Sequence, residues 1–330
     1  MTFPRAETPR FDHPPAPDHM FDHGDFSPGG LAEAKSTAVG ADGAPLQVSV
    51  VLPARNEEPT VGSIVETLHR RLVVDEPVID ELLVIDDGST DATAAVAAEA
   101  GAKVIEAGSV LPDHRSGGKG EALWKSLRAS TGDVVVWCDA DIRNFDERFV
   151  VGCLGPLLTR PDIGFVKGFY RRPLNDDGEG GGRVTELVAR PLIATLFPEL
   201  GHLVQPLSGE FGGRRELLEA VPFHRGYAVD LGLLIDLSRR FGVGCIGQVD
   251  LGTRVHRNRP LRELGPQAAA ITAMALERAG AAAGGSSGRP GEQPDDDEHG
   301  QLAELVMARP EFGDAAITVG HLPPMASVPR

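Results

Sequence analysis

The chain has 330 residues, of which 41% are hydrophobic, and its formal net charge is −16 at pH 7. This length is enough for one large α/β domain or two small ones, with a sizeable core in either case. The acidic balance argues against a nucleic-acid partner, because such proteins usually present a basic face. An anionic small substrate remains compatible with it where arginines cluster locally.

The sequence also carries signals about compartment. No hydrophobic run reaches the roughly 18 residues that a membrane span needs, and the N-terminus shows no apolar signal-peptide core. The three cysteines, Cys138, Cys153 and Cys245, have no metal-type spacing. We therefore predict a cytoplasmic protein with reduced, mostly buried thiols and no membrane span.

The predicted elements lie between two segments of low complexity. Residues 1–45 are rich in Pro, Asp, His and Gly without apolar periodicity, which predicts a disordered arm. Residues 285–330 are predicted to form a linker and a tail, because this region opens with Gly, Ser, Pro and acidic residues. The ordered part is expected to begin near Gln47.

Short apolar runs and amphipathic segments alternate over the next hundred residues. Strands are predicted at 48–53, 82–86, 103–105 and 134–138, and helices at 57–72, 92–100 and 119–129. This alternation predicts an α/β domain with a doubly wound, mostly parallel sheet. Beyond Asp141 the pattern is less regular. There we predict strands at 164–170 and 244–250 and helices at 184–196, 227–241 and 266–283.

Two aspartates close the fourth predicted strand. In an extended chain Asp139 and Asp141 point to the same face. Neighbouring carboxylates repel each other unless a cation lies between them, and hard oxygen ligands suit Mg²⁺ or Mn²⁺. The alternative is an acidic turn that caps the next helix. Because ligands of open α/β sheets bind at the carboxyl ends of strands, the sequence favours a metal–nucleotide site.

Other strand ends carry further polar groups. Asp86 and Asp87 can accept hydrogen bonds from a base or ribose, or they only shape a turn. The glycines before Lys119 let a backbone approach an anion at a helix N-terminus, although Lys119 could also be a surface lysine. No Gly-rich dinucleotide fingerprint or phosphate loop follows the first strand, which argues against a dehydrogenase or a sugar nucleotidyltransferase.

These motifs resemble a known family. VVLPARNEE, LLVIDDGSTD, GGKGEAL and CDAD, in this order, are similar to GT-A nucleotide-sugar transferases. GGGRVTELVARPL, QPLSGEFGGRRELL, GYAVDLGLLID and RVHRNRPLRELG resemble the glucosyl-3-phosphoglycerate synthases, over about residues 46–280. The resemblance implies a GT-A fold, with a nucleotide-sugar-binding half at 46–145 and an acceptor-binding half at 146–284 of the same domain.

The resemblance also implies an activity. This hexosyltransferase family moves glucose from UDP-glucose, or another nucleoside diphosphate glucose, to the 2-hydroxyl of 3-phosphoglycerate with retention. The product starts methylglucose polysaccharide synthesis. The family uses Mg²⁺ or Mn²⁺ and is typically homodimeric, so the implied partners are UDP-glucose, 3-phosphoglycerate and a second copy of the chain.

Site residues carry over motif by motif. The residues that would contact the nucleotide or sugar are Pro53, Ala54, Arg55, Asn56, Glu57, Asp87, Lys119, Asp139, Tyr227, Ala228, Val229, Asp230 and Arg254. Those that would hold the acceptor are Gly182, Arg183, Val184, Thr185 and Asn258. Asp141 and His256 would hold the metal, while Asp230 and Lys119 would be catalytic. The family more often carries Glu at the position of Asp230, and the shorter Asp reaches less far.

The residue pattern by itself supports part of this assignment. Arg183 follows three glycines and precedes a predicted helix with Thr185 in its first turn, which is typical of an anion site. Two other functions stay open. A different acceptor, such as a polyprenyl phosphate, would fit the first half equally well, although no membrane helix or basic amphipathic segment is visible. A non-catalytic nucleotide-sugar binder would be expected to lack Asp139, Asp141 or Lys119, and all three are present.

Overall fold

The computed structural model describes residues 19–40, 42–114, 117–172, 182–255, 260–280, 303–307 and 315–329. The strands are β1 (Met20–Asp22), β2 (Val48–Ala54), β3 (Glu81–Asp86), β4 (Lys103–Glu106), β5 (Val134–Trp137), β6 (Phe165–Arg171), β7 (Phe211–Arg214), β8 (Phe223–His224), β9 (Ile246–Thr253), β10 (Ala303–Met307), β11 (Ala315–Val319) and β12 (His321–Leu322). The α-helices are α1 (Pro28–Thr37), α2 (Glu58–Leu68), α3 (Thr93–Glu99), α4 (Lys119–Ala129), α5 (Arg148–Thr159), α6 (Arg190–Leu196), α7 (Arg215–Glu219), α8 (Val229–Phe241) and α9 (Leu261–Arg278). Two π-helical segments, His69–Asp75 and Thr185–Ala189, continue α2 and precede α6.

An eight-stranded sheet with the order β1-β9-β6-β7-β5-β2-β3-β4 forms the centre of the molecule. Only β7 runs antiparallel to its two neighbours, β5 and β6, whereas the other pairs of this sheet are parallel. The prediction of a doubly wound, mostly parallel α/β sheet is therefore confirmed. Two small sheets, β10 with β11 and β12 with β8, complete the described part.

The sheet separates two hydrophobic cores. Val135 and Trp137 of β5 pack in the core that includes α4 and α8, whereas Val134 and Val136 pack in the core that includes α2 and α5. This follows from the strand repeat of two residues, which sends successive side chains to opposite faces. Because both faces are covered, the strand sequence is apolar throughout, as parallel strands require.

The connection pattern creates the site. From β2 the chain passes to β3 on one side, whereas β5 pairs on the other side of β2. The strand order thus reverses between β2 and β5, and such a switch point leaves a crevice at the carboxyl ends of the strands. Asp139 and Asp141 follow β5 at this edge.

The prediction that residues 1–45 form a disordered arm is wrong for residues 19–40. Phe21 of β1 pairs in parallel with Val249 of β9. The buried side chain of Leu31 in α1 belongs to the core, and the ring of Phe26 occupies the space where a Cβ at Gly155 would lie. Contacts with residues more than a hundred positions away in the sequence order this segment, and no local pattern reveals them.

The prediction that residues 285–330 form only a linker and tail is wrong for residues 315–329. His321 pairs with His224, and Leu322 and Met325 are buried. The indole Nε1 of Trp124 donates a 2.8 Å hydrogen bond to the carbonyl oxygen of Pro323. This C-terminal segment therefore packs against β8 and against α4, the helix whose first turn lines the crevice.

Helix α5 and strand β7 are among the elements that sequence periodicity missed. Helix α5 is buried almost all round and contains Gly152, Gly155 and Pro156, so it has no polar face to reveal a helical period. Strand β7 consists of Phe-Gly-Gly-Arg, whose glycines have low strand propensity. A Cβ at Gly212 would lie 2.6 Å from the Val135 carbonyl oxygen, so close packing of β7 on β5 demands the glycine.

Within the described ranges no helix is both long and apolar enough to cross a bilayer.

Candidate active site

A cavity of about 490 Å³ lies at the carboxyl ends of β2, β3 and β5. Its lining consists of Pro53, Ala54, Arg55, Asn56, Glu57, Asp87, Gly118, Lys119, Ala122, Asp139, Ala140, Asp141, Gly226, Tyr227 and Glu263. The segments VVLPARNEE, LLVIDDGSTD, GGKGEAL and CDAD thus meet at this cavity, together with the turn before α8. Of the residues predicted to contact the nucleotide or sugar, nine line this cavity.

The turns after β2 and β3 are joined by hydrogen bonds. Asn56 has a φ of 58°, a left-handed conformation that Asn tolerates better than most residues. Its amide N–H donates to Ser89 Oγ over 3.0 Å, and its side-chain Oδ1 accepts from the Thr90 N–H over 2.8 Å. The Glu57 N–H donates to Thr93 Oγ1. These bonds fix the wall formed by residues 53–57.

Asp87 connects that wall to the start of α4. Its Oδ2 accepts a 2.7 Å hydrogen bond from the Gly118 N–H and lies 3.8 Å from Nη1 of Arg55. Burial raises the pKa of Asp87, although the Gly118 hydrogen bond and Arg55 oppose this shift. Asp87 can therefore accept a further hydrogen bond from a ligand at the cavity wall.

A close backbone contact sets the position of α4. A Cβ at Gly120 would lie 1.9 Å from the carbonyl oxygen of His224, so only glycine fits there. The first turn of α4 therefore lies directly against the chain that leads from β8 to Tyr227. This contact places Lys119 and Tyr227 on neighbouring walls of the cavity.

Lys119 is the central cation. Its Nζ lies 3.2 Å from Asp139 Oδ1 and 3.5 Å from Asp230 Oδ1. Burial alone would lower the pKa of Lys119, but the two carboxylates outweigh it and raise the pKa above its ordinary value. The ammonium group therefore stays protonated at neutral pH and can stabilise negative charge.

Arg254 lies behind the two aspartates and is only 3% exposed. Its Nη2 lies 2.5 Å from Asp141 Oδ1 and 3.1 Å from Asp139 Oδ2, and its Nη1 donates to the Tyr170 hydroxyl over 2.7 Å. Burial would raise the pKa of Asp139, but Lys119 and Arg254 hold it well below its usual range. Arg254 therefore acts on the cavity through the aspartates and does not itself line it.

Ala228, Val229 and Asp230 are also buried rather than in the cavity lining. Asp230 is 3% exposed and touches Lys119 from the inner side. Contact of these three residues with a sugar, as the resemblance implies, is left as a prediction.

Two buried charges beside this site, Lys167 and Glu210, are not among the predicted site residues. Lys167 of β6 lies 3.3 Å from Asp230, and the fully buried Glu210 lies 3.6 Å from Arg254. Burial raises the pKa of Glu210. One sequence signal was available: a lysine inside the apolar strand that begins at Phe165 requires a buried counter-charge.

The predicted acceptor segment begins beside this region. Gly182 has a φ of 79°, and its carbonyl oxygen accepts a hydrogen bond from the Glu186 N–H. Thr185 is buried, Val184 packs against the core, and the π-helical segment Thr185–Ala189 contacts α9, the helix that brings Glu263 to the cavity. Arg183 lies between Gly182 and Val184. Asn258 lies outside the described residues, so its assignment stays a prediction.

Carboxylate oxygens are the available metal donors. The side chains of Asp139 and Asp141 are 25% and 24% exposed and line the cavity, which fits a hard divalent cation. Within the described ranges, no three His, Cys, Asp or Glu side chains form a metal-binding cluster. His256, the other predicted ligand, lies outside those ranges.

Comparisons with known proteins agree with this geometry. The family model described as Glycosyl transferase family 2 matches residues 49–220. The chain is 53% identical over 238 residues to the glucosyl-3-phosphoglycerate synthase of Mycolicibacterium smegmatis, covering 71% of this chain and 78% of that protein. It is 47% identical to the enzyme of that name from Petrotoga mobilis, covering 71% of this chain and 73% of that protein.

Solved structures show the same similarity. A crystal structure of glucosyl-3-phosphoglycerate synthase from Mycobacterium tuberculosis in complex with Mn²⁺, UDP-glucose and phosphoglyceric acid matches with a TM-score of 0.74 and 42% identity, covering 91% of this chain and 95% of that one. A second structure of that enzyme, with Mn²⁺, UDP and glucosyl-3-phosphoglycerate, matches with a TM-score of 0.73 and 43% identity, over the same shares of the two chains. The chain therefore belongs to glycosyltransferase family 2 and, within it, to the glucosyl-3-phosphoglycerate synthases.

Proposed function

We propose that this protein transfers glucose from UDP-glucose to the 2-hydroxyl of 3-phosphoglycerate with retention, in the presence of Mg²⁺ or Mn²⁺. The product, glucosyl-3-phosphoglycerate, would start methylglucose polysaccharide synthesis. One observation carries this proposal: the cavity at the switch point is lined by Asp87, Lys119, Asp139 and Asp141 in a chain about half identical to enzymes of that name. A structure of the Mycobacterium tuberculosis enzyme of that name contains Mn²⁺, UDP-glucose and phosphoglyceric acid.

Different residues of the chain would bind the nucleoside, the diphosphate and the sugar. Residues 53–57 and Asp87 would hold the nucleoside, while Lys119 would lie against the diphosphate or the sugar. In the transfer, the bond from glucose C1 to the diphosphate breaks and a bond from C1 to the acceptor oxygen forms. Negative charge grows on the leaving UDP, whose phosphate oxygen would take up the proton that the acceptor hydroxyl loses. A protonated lysine at the positive end of α4 stabilises that charge. Asp230 would orient Lys119 from the inner side.

Asp141 and His256 would hold the metal, with Asp139 beside them. When bound, a divalent cation supplies positive charge to the leaving diphosphate. The oxygen donors at the cavity support Mg²⁺ or Mn²⁺. Gly182, Arg183, Val184, Thr185 and Asn258 would hold the phosphate-bearing acceptor.

We also propose that the enzyme is a cytoplasmic homodimer. Three free and buried thiols support the reducing compartment, and the family resemblance supports the dimer. Light scattering of the purified chain tests the dimer directly, because a monomer at working concentration would contradict it.

A crossed product assay tests the activity. UDP-, GDP- and ADP-glucose are each incubated with 3-phosphoglycerate, glycerate or a polyprenyl phosphate, and products are identified by mass spectrometry. We expect glucosyl-3-phosphoglycerate from UDP-glucose. Transfer to the lipid phosphate alone would establish the alternative acceptor, and binding of UDP-glucose without turnover would establish a non-catalytic binder.

A further inference from the structure

Lys167 is an unusual residue for its place in the fold. It lies in the middle of β6 and is 2% exposed. Its Nζ lies 3.3 Å from Asp230 Oδ1 and 3.9 Å from the ring centroid of Phe211. Burial of an ammonium group costs several kcal/mol unless a counter-charge offsets it, so this lysine needs a physical reason.

The neighbouring charges form an alternating chain. Lys119 contacts two carboxylates, Asp139 and Asp230. Asp139 has a second cation in Arg254, and Asp230 has a second cation in Lys167. Each carboxylate that holds Lys119 therefore keeps a buried positive partner when Lys119 turns towards a ligand.

Without Lys167, Asp230 would lose its second cation. Asp230 is 3% exposed, so water cannot compensate its charge. Lys119 would then be its remaining contact among the cations described, and a donor diphosphate would have to compete with a buried carboxylate for it. Burial lowers the pKa of Lys167 to about 8, while Asp230 opposes this, so the ammonium form dominates at neutral pH.

Stability alone is a weak reason for such a pair. Buried ion pairs can often be replaced by apolar side chains of similar size without loss of stability. A methionine would fill the space beneath Phe211 about as well as the lysine stem does. The positive charge of Lys167 therefore points to a local electrostatic task.

We propose that Lys167 is a positioning residue that acts through Asp230: it supplies Asp230 with its own counter-ion and so leaves Lys119 available to the anionic donor. The inference rests on the proposed function, in which Lys119 meets the diphosphate or the sugar.

Calorimetry of Lys167→Met tests this inference, with UDP-glucose and 3-phosphoglycerate titrated separately. We expect the donor affinity to fall about tenfold to a hundredfold, the size typical of a charge-assisted contact, and kcat to fall with it. Acceptor affinity should stay the same. Lys167→Gln, which keeps a hydrogen-bond donor, provides the same comparison if the methionine variant does not fold.

Two comparisons separate this role from packing. Val166→Ala removes a fully buried neighbour on the same strand that packs in the opposite core, so it should lower stability but not donor affinity. In an Asp230→Asn background the carboxylate no longer needs a counter-ion, and Lys167→Met should then cost little donor affinity.

Three results would overturn the inference: unchanged donor affinity in Lys167→Met, an equal loss in both backgrounds, or the same donor-selective loss in Val166→Ala. Failure of the wild-type protein to bind UDP-glucose or to transfer glucose would instead contradict the proposed function.

Discussion

Nη2 of the buried Arg254 lies 2.5 Å from Oδ1 of Asp141. The same nitrogen lies 3.1 Å from Asp139, so one guanidinium group contacts both aspartates from behind and offsets part of their negative charge. Their other sides line the cavity. A divalent cation therefore meets carboxylates whose mutual repulsion is already reduced, and Arg254 holds them in place before the metal binds.

Activity should consequently depend on a metal held by Asp141. We expect chelation by EDTA to abolish turnover and Asp141→Ala to lower it by roughly a hundredfold or more, because charge on the leaving diphosphate loses its stabilisation. Initial rates with and without added Mn²⁺ measure this. Asp162 is a matched control, since it also pairs with an arginine, Arg160, but does not line the cavity. Full activity in EDTA would contradict the prediction.

Gly209 should be essential for the position of Asp139. A Cβ at Gly209 would lie 1.8 Å from Asp139 Oδ2, so Gly209→Ala must move that carboxylate away from Lys119 and Arg254. A misplacement of about 1 Å can cost on the order of a hundredfold in rate. We expect Gly209→Ala to remain folded, as measured by circular dichroism, with strongly reduced kcat.

Gly29→Ala is the matched control for that variant. Gly29 lies in α1, outside the cavity. A Cβ there would make an ordinary 3.5 Å contact with the side chain of Glu76, so activity should not change. Equal activity of the two alanine variants would show that the Gly209 contact does not matter for catalysis.

Nine of the residues assigned to the nucleotide sugar line one cavity, and the sequence could bring them together because its information is local. The predicted segments, including residues 53–57, follow parallel strands, and parallel strands bring their carboxyl ends to one edge. Lys167 and Glu210 could not be placed in this way. Their placement depends on β7, a strand that inserts antiparallel between β5 and β6 and whose glycines give no strand signal. Lys167 pairs with Phe211 of this strand, and Glu210 directly precedes it.

Order at the two ends of the chain also depends on distant contacts. Strand β1 forms by pairing with β9, and β12 by pairing with β8. Short polar segments of this kind look disordered in any sequence window, because the apolar surface that stabilises them belongs to other parts of the chain.

The pairing of β8 with β12 should be sensitive to acid. Burial lowers the pKa of His224, while its bond to Asp236 opposes the shift and Arg278 and His321 add to it. The folded state therefore binds fewer protons than the unfolded state once the pH falls below the ordinary histidine pKa of about 6.5. Stability should be complete above that value and decrease as the pH falls through it towards the lower folded-state pKa.

Thermal melting about one pH unit above and below the ordinary pKa of about 6.5 tests this sign. We expect the wild-type Tm to fall on acidification and His224→Gln, which cannot take up the proton, to lose less. Burial also lowers the pKa of His202. The difference in Tm loss between the wild type and His224→Gln separates the contribution of His224 from that of His202. An equal fall in both proteins would assign the acid sensitivity to other groups.

Acceptor binding should depend on Arg183. The chain is acidic overall, so a phosphorylated acceptor is repelled unless local cations overcome the net charge. Gly182, with a φ of 79°, lets the backbone approach an anion closely, and an arginine can grip phosphate through two parallel hydrogen bonds. Loss of such a contact costs on the order of 2–4 kcal/mol.

At about 1.4 kcal/mol per tenfold, Arg183→Ala should raise the 3-phosphoglycerate dissociation constant roughly thirtyfold to thousandfold and leave UDP-glucose binding nearly unchanged. Arg190 is the matched control. It follows on the same helical segment, but its guanidinium lies 2.8 Å from Glu186 and donates to the Val204 carbonyl oxygen, so Arg190→Ala should affect the acceptor far less. Calorimetry with each ligand separately decides between the two arginines. An equal loss for donor and acceptor in Arg183→Ala, or a larger acceptor loss in Arg190→Ala, would place the acceptor phosphate elsewhere.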